Sequence, residues 1–128
     1  MTIISIHAGP DLRPAVALFR SLADPARLAI VLRLVRGEAK VSDLMVDLGL
    51  AQSTVSAHVA CLRDCGLVVG RPEGRKVLYS LAHPEMIDLL AHAESVLAAT
   101  GNAVTLCPVF GAVEVELGSE SAVGLANR

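Results

Sequence analysis

The chain has no tryptophan, one tyrosine and two phenylalanines, so aromatics make up only 2% of it. A core without large rings must be filled by Leu, Val, Ala and Ile, which pack helices at close range and make an all-β sandwich a poor expectation. Absent too is any apolar run near the roughly 18 residues that a membrane-spanning helix needs. The start, "MTIISIHAGPDLRP", has neither a basic n-region nor a sustained apolar h-region, so the expectation is a cytoplasmic protein with no membrane partner. Cysteine is scarce and odd in number, three in 128 residues. In a reducing compartment such a set points to metal binding or thiol chemistry rather than to structural disulfides. A large basic excess, the usual mark of a nucleic-acid binder, is missing as well, the net charge being −2.

What is present qualifies that last absence. Through Leu81, ten Lys or Arg stand against seven Asp or Glu, giving +3; from Ala82 onward one stands against six, giving −5. A polyanion should therefore be met by the first part of the chain. Hydrophobic residues make up 53%, enough for a single core in one domain of this length.

Leu12, Ala15, Val16, Phe19 and Leu22 recur at helical spacing, with Asp11 placed to cap the start, which predicts a helix from Leu12 to Ala23. "ADPARLAIVLRLVRG" supplies Asp24 as an N-cap, Pro25 at the first helical position, an apolar stripe through Leu28, Leu32 and Val35, and Gly37 as the stop. "VSDLMVDLG" reads as a short helix ended by Gly49, and "AQSTVSAHVACLRDCG" as a longer one ended by Gly66. About three residues turn the chain between them, the length of a helix-turn-helix connection. After Gly66 the period falls to about two: "LVVGR" and "KVLYSL", joined by "PEG", predict a hairpin carrying Arg71, Arg75 and Lys76 near its tip. Pro84 opens a last helix in which Met86, Ile87, Leu89, Leu90, Ala93, Val96 and Leu97 cover over half the circumference, a surface that calls for both its own core and a second subunit. Gly101 and Asn102 end it. The expected fold is mainly α with a small β-hairpin, a homodimeric winged helix-turn-helix. Residues 1–100 form its DNA-binding and dimerisation domain, and residues 101–128 a C-terminal tail that carries Cys107.

"LADPARLAIVLRLV", "VSDLMVDLGLAQSTVSAHVACLRDCGLV" and "GRKVLYSLA" resemble the ArsR/SmtB family of metal-responsive bacterial repressors, over about Leu18 to Leu97. The resemblance implies a homodimer joined through its first and last helices that leaves DNA when metal binds. The arrangement of Cys61, Cys65 and tail Cys107 resembles that of the cadmium- and lead-sensing members. Other effector sites of the family are poorly matched. The third helix has no cysteine, and the last helix, with Asp88, His92 and Glu94, lacks the Asp-x-His and distant His pair of the zinc sensors. Ala51 stands where many relatives carry a Ser cap, which weakens the anion site at the start of the next helix.

Residues four apart in a helix differ by about 40° around the axis and about 6 Å along it, so Cys61 and Cys65 project from one side. With Val55, Val59 and Leu62 as the core stripe, the pair lies roughly 100° away, in line with Thr54 and His58, on a flank that is neither core nor fully solvent. Two sulfurs there can converge on one soft cation such as Cd(II), Pb(II) or Hg(II); the resemblance implies Cd(II) or Pb(II) first, with Zn(II) or Hg(II) possible. A tight site needs more than two thiolates, which makes Cys107 the natural third ligand. Packing as small hydrophobes and redox sensing are the competing readings of the pair. A Cys61–Cys65 disulfide is disfavoured, because parallel side chains on an intact helix do not meet its geometry. His58, one turn before Cys61, is either a fourth ligand or an ordinary half-exposed histidine. It is also the only base near the thiols, and nothing indicates a substrate cleft, so no enzyme is expected.

Gln52, Ser53, Thr54 and Ser56 occupy the first turns of the reading helix and offer short-reach donors and acceptors for base edges. Arg71, Arg75 and Lys76 on the hairpin suit phosphates. Solvated helix positions and a solvated charge cluster are the plainer alternatives. Taken together, the expected protein is a repressor whose apo dimer binds double-stranded operator DNA and whose three-thiolate metal complex binds it poorly. The rivals are a thiol-redox repressor and a metal-buffering or interaction protein that does not bind DNA.

Overall fold

Two proline–aspartate signals set the first helical pair. The computed structural model describes residues 9–104 and Leu106. Helix α1 (Arg13–Ala23) starts one residue later than the periodicity predicts. Asp11 accepts the Arg13 backbone N–H at 3.1 Å and also holds its guanidinium at 2.9 Å. The chain then turns at Asp24, in extended conformation, whose carboxylate accepts the Arg27 N–H at 2.9 Å and so caps α2 (Pro25–Val35).

Helix α2 crosses the middle of the molecule. Its most deeply buried residues are Ile30, Val31 and Leu34, while Leu28, Leu32 and Val35 are only partly buried against that core. The predicted stripe is thus displaced by one face. In "RLAIVLRLV" nearly every position is apolar, so periodicity alone cannot centre the buried arc. Helix α1 shows the same effect. Leu18 and Leu22 pack on the core, and three members of its predicted stripe, Leu12, Val16 and Phe19, lie 40%, 45% and 60% exposed.

Helix α3 (Val41–Leu48) begins where Asp43 accepts the Lys40 N–H at 3.0 Å and ends at Gly49, whose φ of 67° only glycine adopts without strain. Three residues later α4 (Gln52–Asp64) begins. Val55, Val59 and Leu62 are its buried face, as predicted. Cys65 caps the end, Gly66 takes φ 79°, and the Leu67 N–H reaches back to the Leu62 carbonyl at 2.9 Å, a Schellman closure.

Strands β1 (Val68–Glu73) and β2 (Lys76–Leu81) pair antiparallel, from Val68 opposite Leu81 to Glu73 opposite Lys76. The loop is therefore Gly74-Arg75 and not "PEG". Pro72 and Glu73 are strand residues, tolerated because a two-stranded ribbon leaves the proline an outer edge, and the positive φ falls on Gly74 alone, the type II′ pattern. Gly70 is required sterically, since a Cβ there would lie 2.8 Å from Val77 and 3.0 Å from the Tyr79 ring. Ala39, fully buried, exchanges two backbone hydrogen bonds with Tyr79, at 2.8 and 3.0 Å, and ties the α2–α3 connection to the hairpin. Helix α5 (Glu85–Ala99) buries Met86 and Leu90 and leaves Val96 62% exposed. These helices and the hairpin, in this order, form a winged helix-turn-helix with the hairpin as its wing. Among the described residues no helix is long and apolar enough to cross a membrane.

Candidate metal centre and nucleic-acid interface

Cys61 lies on the last turn of α4 and is half-buried; Cys65 is the exposed C-cap residue, and both are free thiols. The Cys65 N–H donates to the Cys61 carbonyl at 3.1 Å, so the helical repeat persists through the pair. Cys65 is not loose. Its Sγ lies 3.1 Å from the hydroxyl of Ser21 on α1, a side chain only 4% exposed. The Ser21 carbonyl in turn accepts the Arg27 Nε–H at 2.9 Å.

One turn before Cys61, the His58 Nε2 is 3.9 Å from the Asp24 carboxylate. The flank of α4 thus lies against the α1–α2 junction. The Arg27 backbone N–H holds the Asp24 carboxyl below its ordinary range, burial opposes this, and the charges of His58 and Arg27 add to the lowering.

Cys107 lies outside the described residues. The residue before it, Leu106, donates its backbone N–H to the carboxylate of Glu94 on α5. Among the described residues no three of His, Cys, Asp and Glu cluster as a metal site. Cys61 and Cys65 stand one turn apart on α4, and free, partly accessible soft donors of that kind fit a thiophilic ion.

At the other end of α4, Gln52, Ser53, Thr54 and Ser56 are all exposed, while Val55 between them is fully buried and anchors the turn. Ala51 is the N-cap and offers no side-chain acceptor. Arg75 and Lys76 are exposed at the wing tip and have no ion-pair partner among the described residues. Arg71 differs. Its guanidinium forks onto Glu38, with contacts of 2.9 and 3.3 Å, and lies 3.6 Å from Glu73. Hydrogen bonding to Glu38 and that residue's charge raise the Arg71 pKa. Sequence reasoning missed this pair, the Ser21–Cys65 contact and the Glu94–Leu106 contact. For Ser21 a signal existed, since it sits three residues after Leu18 on the core-facing side of α1.

The family described as "bacterial regulatory protein, arsR family" matches residues 24–69, from the cap of α2 into β1. A probable mercury resistance operon repressor of Streptomyces lividans is 38% identical over 89 residues, which cover 70% of this chain and 71% of that protein. The chain belongs to the ArsR/SmtB family of transcriptional repressors. The HTH-type transcriptional regulator CmtR of Mycobacterium tuberculosis is 44% identical over 82 residues, covering 64% of this chain and 70% of that one. The NMR structure of that cadmium metal-sensor superposes with a TM-score of 0.53 over 60% of this chain and 80% of its own. A homodimeric winged helix-turn-helix DNA-binding domain from Mycobacterium bovis, 28% identical, gives a TM-score of 0.64 over 72% of this chain and 91% of its own. The relatives are transcriptional regulators, and this ArsR/SmtB chain is a regulator of the same kind and not an enzyme.

Proposed function

We propose that this ArsR/SmtB repressor is a cytoplasmic homodimer that holds operator DNA in its apo form and releases it when a soft metal ion, Cd(II) or Pb(II), is bound by Cys61, Cys65 and Cys107. The observation that carries the reading is the free Cys61–Cys65 pair on the closing turn of α4, the helix whose first turns face solvent as a reading surface. A thiophilic ion would supply the bonds that fasten the tail carrying Cys107 to that helix. Zn(II) and Hg(II) suit the same donors.

The remaining parts follow from this reading. The outward stripe of Leu12, Val16 and Phe19 on α1, with Val96 on α5, is the apolar surface that a second copy covers. Residues 1–100 act as the DNA-binding and dimerisation unit, residues 101–128 as the effector tail. In the dimer two α4 helices must lie about 34 Å apart to enter successive major grooves. Gln52, Ser53, Thr54 and Ser56 read bases there, and Arg71, Arg75 and Lys76 meet phosphates. Pinning the tail to α4 changes that spacing or its freedom, which couples metal to DNA.

The test is a titration of reduced protein on a duplex selected by the apo form, with Cd(II), Pb(II), Zn(II), Hg(II) and As(III) added in turn. Release by Cd(II) or Pb(II) supports the reading. Release by mild oxidant with none by Cd(II) makes the protein a thiol-redox repressor, a reading that the exposure of Cys65 favours. Metal binding without salt-dependent affinity for any duplex leaves a metal-buffering protein.

A further inference from the structure

The thiol pair has a partner outside α4. We propose that Ser21 is the positioning residue of the thiolate site, holding the Cys65 sulfur in place and linking the site to α1. The inference rests on the metal reading given above. Its geometry is the 3.1 Å contact between the Ser21 hydroxyl and Cys65 Sγ, made by the buried polar residue among the described residues across 44 residues of sequence.

Two features set this contact apart from packing. A hydroxyl inside a helix commonly turns back to the carbonyl four residues earlier, yet that of Ser21 is bonded to sulfur. The Ser21 backbone is itself clamped, its carbonyl held by Arg27, whose own N–H is fixed by the Asp24 cap. The hydroxyl is thus delivered from a braced frame to the side chain of an exposed residue at a helix end, whose own backbone is already fixed by the Cys61 carbonyl. In the free protein either atom can donate. When metal binds, Cys65 gives up its proton to solvent and the metal–sulfur bond forms; the sulfur is then an acceptor only, and the Ser21 hydroxyl must donate to it. The bond becomes charge-assisted and stronger. Metal occupancy and the seating of α1 against the end of α4 are thereby coupled, and whatever shifts α1 changes metal affinity in return.

The experiment compares full-length Ser21→Ala and Ser21→Thr with the parent. Cd(II) affinity is read by chelator competition against the ultraviolet sulfur-to-metal charge-transfer band. Iodoacetamide labelling of the metal-free protein, mapped by mass, gives separate rates for Cys61 and Cys65. Ser21→Ala should weaken Cd(II) binding by roughly 10–100-fold, the usual effect of losing a group that orients a ligand. It should also change the Cys65 labelling rate several-fold and leave that of Cys61 alone, and Ser21→Thr should restore both. Parental Cd(II) affinity with unaltered labelling in Ser21→Ala would overturn the proposal. So would a loss of Cd(II) affinity in which both cysteines change alike, since that marks general loosening. If the parent protein gives no charge-transfer band, it is the metal reading that fails. The labelling arm then decides Ser21 alone: a change selective for Cys65 supports its positioning role, and equal rates reject it. Should Ser21→Thr not fold, the two Ser21→Ala readouts stand without it.

Discussion

The two ends of α4 are built in opposite ways. The first turn begins at Ala51 with no side-chain cap and with Gln52, Ser53, Thr54 and Ser56 turned to solvent. The last turn is closed by the Leu67-to-Leu62 hydrogen bond, and Cys65 is tied to α1 through Ser21. Helix-start N–H groups without a side-chain acceptor and exposed short polar side chains are what a phosphate or base edge can bind. The closed end places the proposed effector pair against its neighbours, Cys65 on Ser21 of α1 and His58 near Asp24. On the proposed function, one helix separates the surface that meets DNA from the place where that meeting is controlled.

Breaking the closed end should have the largest effect. Cys61→Ser or Cys65→Ser should abolish both Cd(II) charge-transfer absorption and metal-driven DNA release, because either change leaves α4 with a single thiolate and a soft ion held tightly needs more than two. Cys107→Ser should split the two readouts, with some metal still held by the helical pair but the operator retained. A Cys107→Ser protein that leaves its operator like the parent would make the tail a bystander.

Breaking the open end should be milder and confined to sequence choice. Ser56→Ala should reduce preference for operator over random duplex by about tenfold, the scale of one base contact worth roughly 1–3 kcal/mol. Nonspecific affinity should hardly move, since base contacts specify while phosphate contacts position. Equal losses on both DNAs in a binding titration would reassign Ser56 to positioning.

The contrast can be sharpened by closing the open end. Ala51→Ser supplies the missing cap at a residue already in extended conformation, φ −71° and ψ 155°. Urea unfolding should show a gain of about 0.5–2 kcal/mol. No gain would mean that the helix start is satisfied some other way in the free protein.

The sequence disclosed this helix well because its signals are local. Gly49 and Gly66 mark two helix ends by a positive φ that few other residues adopt, and Val55, Val59 and Leu62 repeat cleanly at helical spacing. What it hid is non-local or degenerate. The uniformly apolar α2 could not reveal its buried face, and Pro72-Glu73 resembled turn chemistry although only Gly74 bends backward. The Ala39–Tyr79 bridge and the contacts Glu38–Arg71, Ser21–Cys65 and Glu94–Leu106 join residues whose meeting depends on how finished elements pack, and such meetings leave no periodic mark. The sequence offered the candidate site as a list of side chains, and the restraints on Cys65 and Arg71 were not legible in it.

The smallest effect expected distinguishes two positions on the wing. Arg75 and Lys76 have no ion pair to give up among the described residues, so replacing either by Ala should weaken binding to all duplexes alike and flatten the salt dependence by about one unit per lost phosphate contact. Arg71 enters the complex already committed to Glu38 and Glu73. An exposed pair of this kind is worth little, about 0–1 kcal/mol, but moving Arg71 to a phosphate leaves two carboxylates facing the DNA without their cation. Their repulsion offsets part of the gain. Arg71→Ala should therefore flatten the slope by less than Arg75→Ala does, and adding Glu38→Ala to the parent should steepen it by freeing the arginine. Equal slopes for Arg71→Ala and Arg75→Ala would show that the Glu38 clasp opens without cost, and that the wing presents three equivalent charges rather than two free ones and one held in reserve.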